Sequence, residues 1–300
     1  MKPHGLTVEK SHHLPGDHHG PVACQNCGHV FTGKYCPECS QRADTHRITW
    51  HYIWHELPHS IWHVDKGIAF TLRELFTRPG YTIREFLDGK RVNHYRPLAL
   101  VLLLGALLVF LSQSLGVRMS AQVQQTFSDA GDSPSEALKA FQSEVNQFTE
   151  KNQTLISLLT IPITSFFLWL FFRKKSRNYP EHLVANTFLA VVSFFLSLIL
   201  IVLIKIAGGT MAGFAAAFSL ISLASFGYHV WGYLQLFKGE MRRRSIAWRA
   251  GLGYLLGTTT FFILMTMGMG TYLFLTHFDD LKREIRAKKA RTEQIAPTQK

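Results

Sequence analysis

Apolar residues in this chain are segregated rather than spread. Between positions 97 and 278 five stretches run for twenty or more residues without a charged side chain, and about twenty apolar residues in a helix cross a hydrocarbon core of ~30 Å. The pattern predicts helical spans over about 98–116, 155–172, 183–204, 211–236 and 251–275, within a membrane domain of residues 97–278. Pro162 should kink the second span. Small residues in the fourth (Gly213, Ala215, Ala216, Ala217, Ser219, Ser222) suit close helix contacts. Between the first two spans, Leu138, Phe141, Val145 and Phe148 recur at helical spacing after Ser133-Pro134-Ser135-Glu136, which predicts a short helix in that loop.

Before position 97 the pattern changes. Residues 48–76 alternate Trp and His with polar residues, and residues 46–96 read as amphipathic helices at the cytoplasmic membrane surface, where Trp rings collect. A helix from about Val64 to Phe76 leads into a turn at Arg78-Pro79-Gly80. Thr82 and Glu85 stand at capping-box spacing, which predicts a second helix starting there, and Gly89 is placed to end it. Pro97 is a favourable first residue for span one. Residues 1–23 hold no apolar run, so no secretory leader is expected. With five histidines they read as a disordered polar tail, low-affinity metal collection being the alternative.

Charge then orients the spans. The net charge is +12, and much of it lies in short loops: Arg173, Lys174, Lys175 and Arg177 follow span two, and five basic residues fall in 238–249. Basic residues beside spans stay cytoplasmic, so the expectation is a cytoplasmic N-terminus in the bacterial cytoplasmic (inner) membrane. The external loop 118–153 carries three basic and five acidic side chains, in keeping with this. The tail 279–300, with seven basic and four acidic residues, runs against the rule when five spans are counted. The expected surroundings are anionic lipid headgroups, contacted with a protein partner as the alternative by Arg78, Arg84, Lys90, Arg91 and Arg96, and not a specific nucleic acid. The same five residues are equally suited to setting topology alone.

All four cysteines lie in one stretch, Cys24-Gln-Asn-Cys27-Gly28 followed by Tyr35-Cys36-Pro-Glu-Cys39. Two C-x-x-C knuckles supply the ligands of a tetrahedral zinc site. With four thiolates no coordination position stays open, so residues 24–41 are expected to be a structural zinc ribbon holding one Zn²⁺. A thiolate site suits a reducing compartment.

A second motif competes for attention. His55-Glu56-Leu57-Pro58-His59 matches H-E-x-x-H, the pattern that sets two imidazoles on one helical face around zinc with Glu activating water. His51 and His63 extend the row, and His51, His63 or His94 could supply a third ligand. Pro58 opposes this, because it breaks the very turn the motif needs, at ~3 kcal/mol. The interfacial helix with structural histidines is the preferred reading; a metalloenzyme using His55, Glu56 and His59, or a second metal or pH-sensing site, is the alternative.

The order C-x-x-C-G, YC-x-x-C-x-Q, HVDKG, TLRELFTRPG, TIREFLDGKR, Y-x-PLAL and YPEHLV resembles a bacterial family of membrane proteins, domain of unknown function 3667. The likeness implies a zinc ribbon on a membrane domain and no known activity. Ser40 departs from the family's C-G-Q after the second knuckle, which keeps the thiolates but should make that turn less relaxed. A weaker likeness, in span number and in the proline entry to span one, links the chain to five-span Yip1-type proteins.

The sequence therefore reads as an all-α polytopic membrane protein of about five transmembrane helices, with a small N-terminal zinc ribbon and amphipathic interfacial helices. Its expected role is a non-enzymatic docking, regulatory or membrane-organising module with a cytoplasmic protein partner reached through the ribbon. A transporter or metal-handling protein is the further alternative, with a path past His229. The spans as read hold no carboxylate, and Lys205, His229 and His277 are their ionisable neighbours, which disfavours ion-coupled transport.

Overall fold

The computed structural model describes residues 20–45, 47–53, 67–117, 136–175, 177–206 and 211–295. The histidine tail through residue 19, the His55–His59 motif, His63, most of the loop before Glu136 and the last five residues lie outside them. Among the described residues a hairpin of two short strands, β1 (Val22–Ala23) and β2 (Val30–Phe31), precedes eight helices: α1 (Gly67–Thr77), α2 (Pro79–Leu87), α3 (Pro97–Ser114), α4 (Glu136–Lys151), α5 (Gln153–Phe172), α6 (Tyr179–Ile206), α7 (Met211–Leu236) and α8 (Arg243–Ile295). The protein is an all-α polytopic membrane protein. Four helices among the described residues are long and apolar enough to cross a bilayer: α3, residues Thr154–Phe172 of α5, α6 and residues Arg243–Tyr272 of α8. The fourth expected span corresponds to α7, a helix of 26 residues.

The central helix is α6. Half of its apolar window is buried, against 17% for α8, and it touches α3, α5, α7, α1 and α2. Its core face carries Ala185, Phe188, Leu189, Val191, Val192 and Ile201, packed with Leu100, Val101 and Leu104 of α3 and with Leu168 and Phe172 of α5. At 28 residues it is about 42 Å long, longer than the ~30 Å hydrocarbon core requires, so more than a turn is free to meet the N-terminal segment. Helix α8 lies along α5, where a Cβ on Gly257 would run into the Thr164 backbone at 2.6 Å.

Several boundaries differ from the sequence reading for identifiable reasons. Helix α2 starts at Pro79, not at Thr82. Proline takes the first helical position, the Thr82 hydroxyl donates back to the Arg78 carbonyl at 3.0 Å, and Glu85 turns to the Arg78 guanidinium at 3.1 Å rather than capping. Arg78 alone separates α1 from α2. Helix α6 starts four residues before Leu183, which brings Glu181 and His182 into it, both about 1% exposed. The long apolar helix thus does contain a buried carboxylate, at its first turn. Helix α8 continues through the charged tail to Ile295; the Lys, Arg, Ala and Glu of that tail are good helix formers.

Candidate metal centre and its seat

The two knuckles are built alike. In the first, the Gly28 amide donates to the Cys24 carbonyl at 2.9 Å and the Cys24 amide to the His29 carbonyl at 2.8 Å. In the second, the Ser40 amide donates to Cys36 at 2.8 Å and the Cys36 amide to Gln41 at 2.8 Å. The residue after each second cysteine is left-handed, Gly28 at φ 79° and Ser40 at φ 61°. Glycine adopts that geometry freely, whereas a side chain is penalised by ~1 kcal/mol, so Ser40 carries a cost at this turn that Gly28 does not. Ser40→Gly is expected to tighten metal binding about fivefold, measured by chelator competition; unchanged or weaker binding would contradict it.

The four sulfurs converge. Cys24 and Cys39 Sγ are 3.5 Å apart, Cys27 and Cys36 Sγ are 3.6 Å apart, and all four lie within 4.8 Å of one another. A tetrahedron with metal–sulfur bonds of ~2.3 Å has edges of roughly 3.8 Å, so the set fits a four-thiolate metal site. The cysteines are free thiols. Burial raises the Cys24 thiol, but backbone hydrogen bonds at Cys27 and Asn26 and those from the Cys39 and Cys27 side chains bring it down to about 7. A backbone hydrogen bond at His29 lowers Cys27, but burial and the sulfurs of Cys36, Cys24 and Cys39 push it up to about 12. Thiols packed this closely compete for negative charge, and a divalent cation at their centre removes the competition. His29 is exposed and not part of the set. Among the described residues this is the group of side chains able to hold a metal.

The ribbon has almost no core. Its buried cluster is Cys24, Phe31 and Cys36, two of which are ligands. It sits instead on the loop after α2. The buried Gln41 donates from Nε2 to the Gly89 carbonyl at 2.5 Å and accepts the Arg91 amide on Oε1 at 3.2 Å. Gln25, inside the first knuckle, lies over Gly89, where any Cβ would overlap it; Gly89 also has φ 104°. Past the ribbon, Arg47 forms a two-pronged pair with Glu181, Nε to Oε1 at 2.9 Å and Nη2 to Oε2 at 2.8 Å. Asn178 Nδ2 donates to the Ile48 carbonyl at 3.0 Å. Arg177 reaches Asp88 at 2.7 Å. Between these groups lies a cavity of about 380 Å³ lined by Gln25, Thr45, Arg47, Asp88, Arg177 and Glu181, with Leu87 as its apolar wall.

Several of these positions escaped the sequence reading. Asn178 and Glu181 form a complete capping box: the Glu181 amide donates to Asn178 Oδ1 at 2.9 Å and the Asn178 amide to Glu181 Oε2 at 2.7 Å. Its signal, N-x-x-E before an apolar run, was in the sequence. Gln25 and Gln41 gave no signal beyond their closeness to the cysteines, because their partners are backbone groups far along the chain.

The basic residues singled out as lipid or partner contacts take varied places. Arg84 caps the end of α7, donating to the carbonyls of Leu236 (3.0 Å), Gln235 (3.1 Å) and Lys238 (3.1 Å). Arg78 pairs with Glu74 and Glu85. Arg91 lies 4.7 Å over the Tyr52 ring and 5.4 Å over Phe86. Lys90 and Arg96 are exposed. Of the proposed third ligands for the second motif, His51 is exposed, and His94 is buried against Phe70 and Phe86. Burial lowers the His94 pKa, with Glu85 and Glu74 opposing and Arg78 assisting.

The family model described as "Protein of unknown function (DUF3667)" matches residues 65–109, which bears out the resemblance stated from the sequence. The match covers α1, α2, the Gly89 loop and most of α3, the seat rather than the knuckles. No curated protein matches the chain, and no solved structure does, so the likeness to Yip1-type proteins gains no support.

Proposed function

We propose that this chain is a non-enzymatic module of the bacterial cytoplasmic membrane, with a structural zinc ribbon on its cytoplasmic face that serves docking or regulation. One observation carries the reading: the four sulfurs close on one another, leaving no open position for substrate or water, and closed four-thiolate sites are structural. Zinc is the metal this ligand set and geometry favour. Anionic lipid headgroups are the expected surroundings. The loops after α5 and α7 carry Arg173, Lys174, Lys175, Arg177, Lys238 and Arg242, and Arg243 and Arg244 open α8; positive charge at short loops supports a cytoplasmic assignment for that end. Aromatic rings gather there too, Trp50 and Trp169 at 5.5 and 6.2 Å from Tyr179, in the manner of a membrane-interface belt.

Cobalt substitution tests the closed site. Co²⁺-loaded protein is expected to show the tetrahedral tetrathiolate absorption spectrum, unchanged by added imidazole or azide and unchanged in His55→Ala. A spectrum that shifts with added ligand would mean an open position and would return the metalloenzyme reading with His55, Glu56 and His59.

A further inference from the structure

We propose that the ribbon is a metal-dependent clasp: metal binding seats it on the Gly89 loop, and metal loss releases it and opens the polar cavity at the start of α6. This rests on the zinc-ribbon reading and adds regulation to it.

The contacts that seat the ribbon come from positions tied to the ligands. Gln25 follows Cys24 directly, and Gln41 follows Cys39 by two residues. Each reads a feature of the same loop, Gln25 the bare Cα of Gly89 and Gln41 the Gly89 carbonyl and the Arg91 amide. Both can reach that loop only while the knuckles hold their mutual orientation. Two strands of two residues and a cluster made largely of ligands cannot hold it, and in units of this size metal binding is folding. The seat does not share this dependence. Gly89 and Arg91 follow α2, which is fixed by Arg84 on the α7 carbonyls and by the Gly80 amide donating to Gln235 Oε1 at 3.0 Å.

Release would free the chain as far as Arg47, six residues beyond Gln41, with Ile48, buried in the helical core and held by Asn178, as the next fixed point. Glu181 is 2% exposed as a side chain while its Arg47 partner is 55% exposed, so Arg47 is the movable partner. Once it leaves, Glu181 keeps its capping role on Asn178 and a longer approach to Arg177 at 3.8 Å, but one face becomes open to the cavity. Metal occupancy thereby controls access to Arg177 and Glu181, whose side chains are 14% and 2% exposed while the ribbon is seated.

Hydrogen exchange on the full-length protein in detergent, with metal content measured on the same samples, tests the clasp. Removing one metal per chain with a strong chelator is expected to speed exchange at least tenfold at the Arg91 amide, which Gln41 holds, as well as in 22–45, with 188–204 unchanged. Gln41→Ala is expected to keep its metal and a protected ribbon yet show the fast Arg91 exchange, which separates unseating from unfolding. If the metal leaves while the Arg91 amide stays protected, or if Gln41→Ala leaves it unchanged, the clasp is wrong although the ribbon stands. A purified protein with no metal would remove the ribbon reading and the clasp with it.

Discussion

Changing Cys36 and Cys39 together to serine is expected to unfold residues 22–45 while α3 to α8 stay folded. Structural zinc contributes roughly 10–16 kcal/mol to the folding of comparable small units, and nothing else in this ribbon approaches that. Its buried apolar content beyond the ligands is Phe31, with Val22 and Ala43 partly buried, worth a few kcal/mol at about 25 cal/mol per Å². The helices have their own core, from Leu75 and Phe86 through Phe188 and Ile201 to Tyr233 and Phe237, which includes none of the four thiols. Limited proteolysis reads the outcome directly: cleavage should appear within 22–45 in the variant and be absent there in the wild type. A double-serine variant as resistant as the wild type would mean that the knuckles hold together without a metal.

Gly80→Ala is expected to be the most damaging single methyl among the described glycines. A Cβ at this position overlaps the Gly232 carbonyl oxygen, the Gln235 Cβ and the Leu236 amide nitrogen. These are backbone atoms or lie next to backbone, so no rotamer change relieves the overlap, and α2 must lift from α7. Overpacking of this kind is destabilising by typically 1–3 kcal/mol and more where the backbone cannot yield; here about 3 kcal/mol is expected, and the bonds of Arg84 to the α7 carbonyls would be lost with it. Gly227→Ala is the matched control in α7 itself, where nothing lies within 4 Å of the new Cβ; it should be neutral or slightly stabilising through helix propensity. Thermal unfolding in detergent compares the two. Equal melting temperatures would show that the approach of α2 to α7 is not as close as described.

Much of the architecture was legible because two strong patterns declare themselves locally. Charge-free runs mark helices α3 and α5 to α8, since the hydrocarbon core excludes charge over a fixed length. The doubled C-x-x-C marks the ribbon, since metal ligation needs residues of one type at one spacing. The joints were not legible in the same way. Thr82 and Glu85 had the spacing of a cap, but Pro79 three residues earlier took the first helical position and left Glu85 for Arg78. The third expected span opened at 183, whereas α6 starts at Tyr179 and takes in the carboxylate of Glu181. In the fold, Arg47, 134 positions away, compensates that carboxylate and lets the helix bury it. Arg84, singled out with four other basic residues as a lipid or partner contact or a topology determinant, caps α7 from 152 positions away. Periodicity and spacing report neighbours in sequence, and these residues are explained by neighbours in space.

The ribbon as a metal-held body on the membrane domain is tested most directly by counting zinc in full-length, tag-free protein purified without added metal. One zinc per chain, absent from the Cys36→Ser, Cys39→Ser variant and unaffected by His55→Ala, is the expected result. No zinc, or zinc that stays when the two cysteines are gone and leaves with His55, would contradict it.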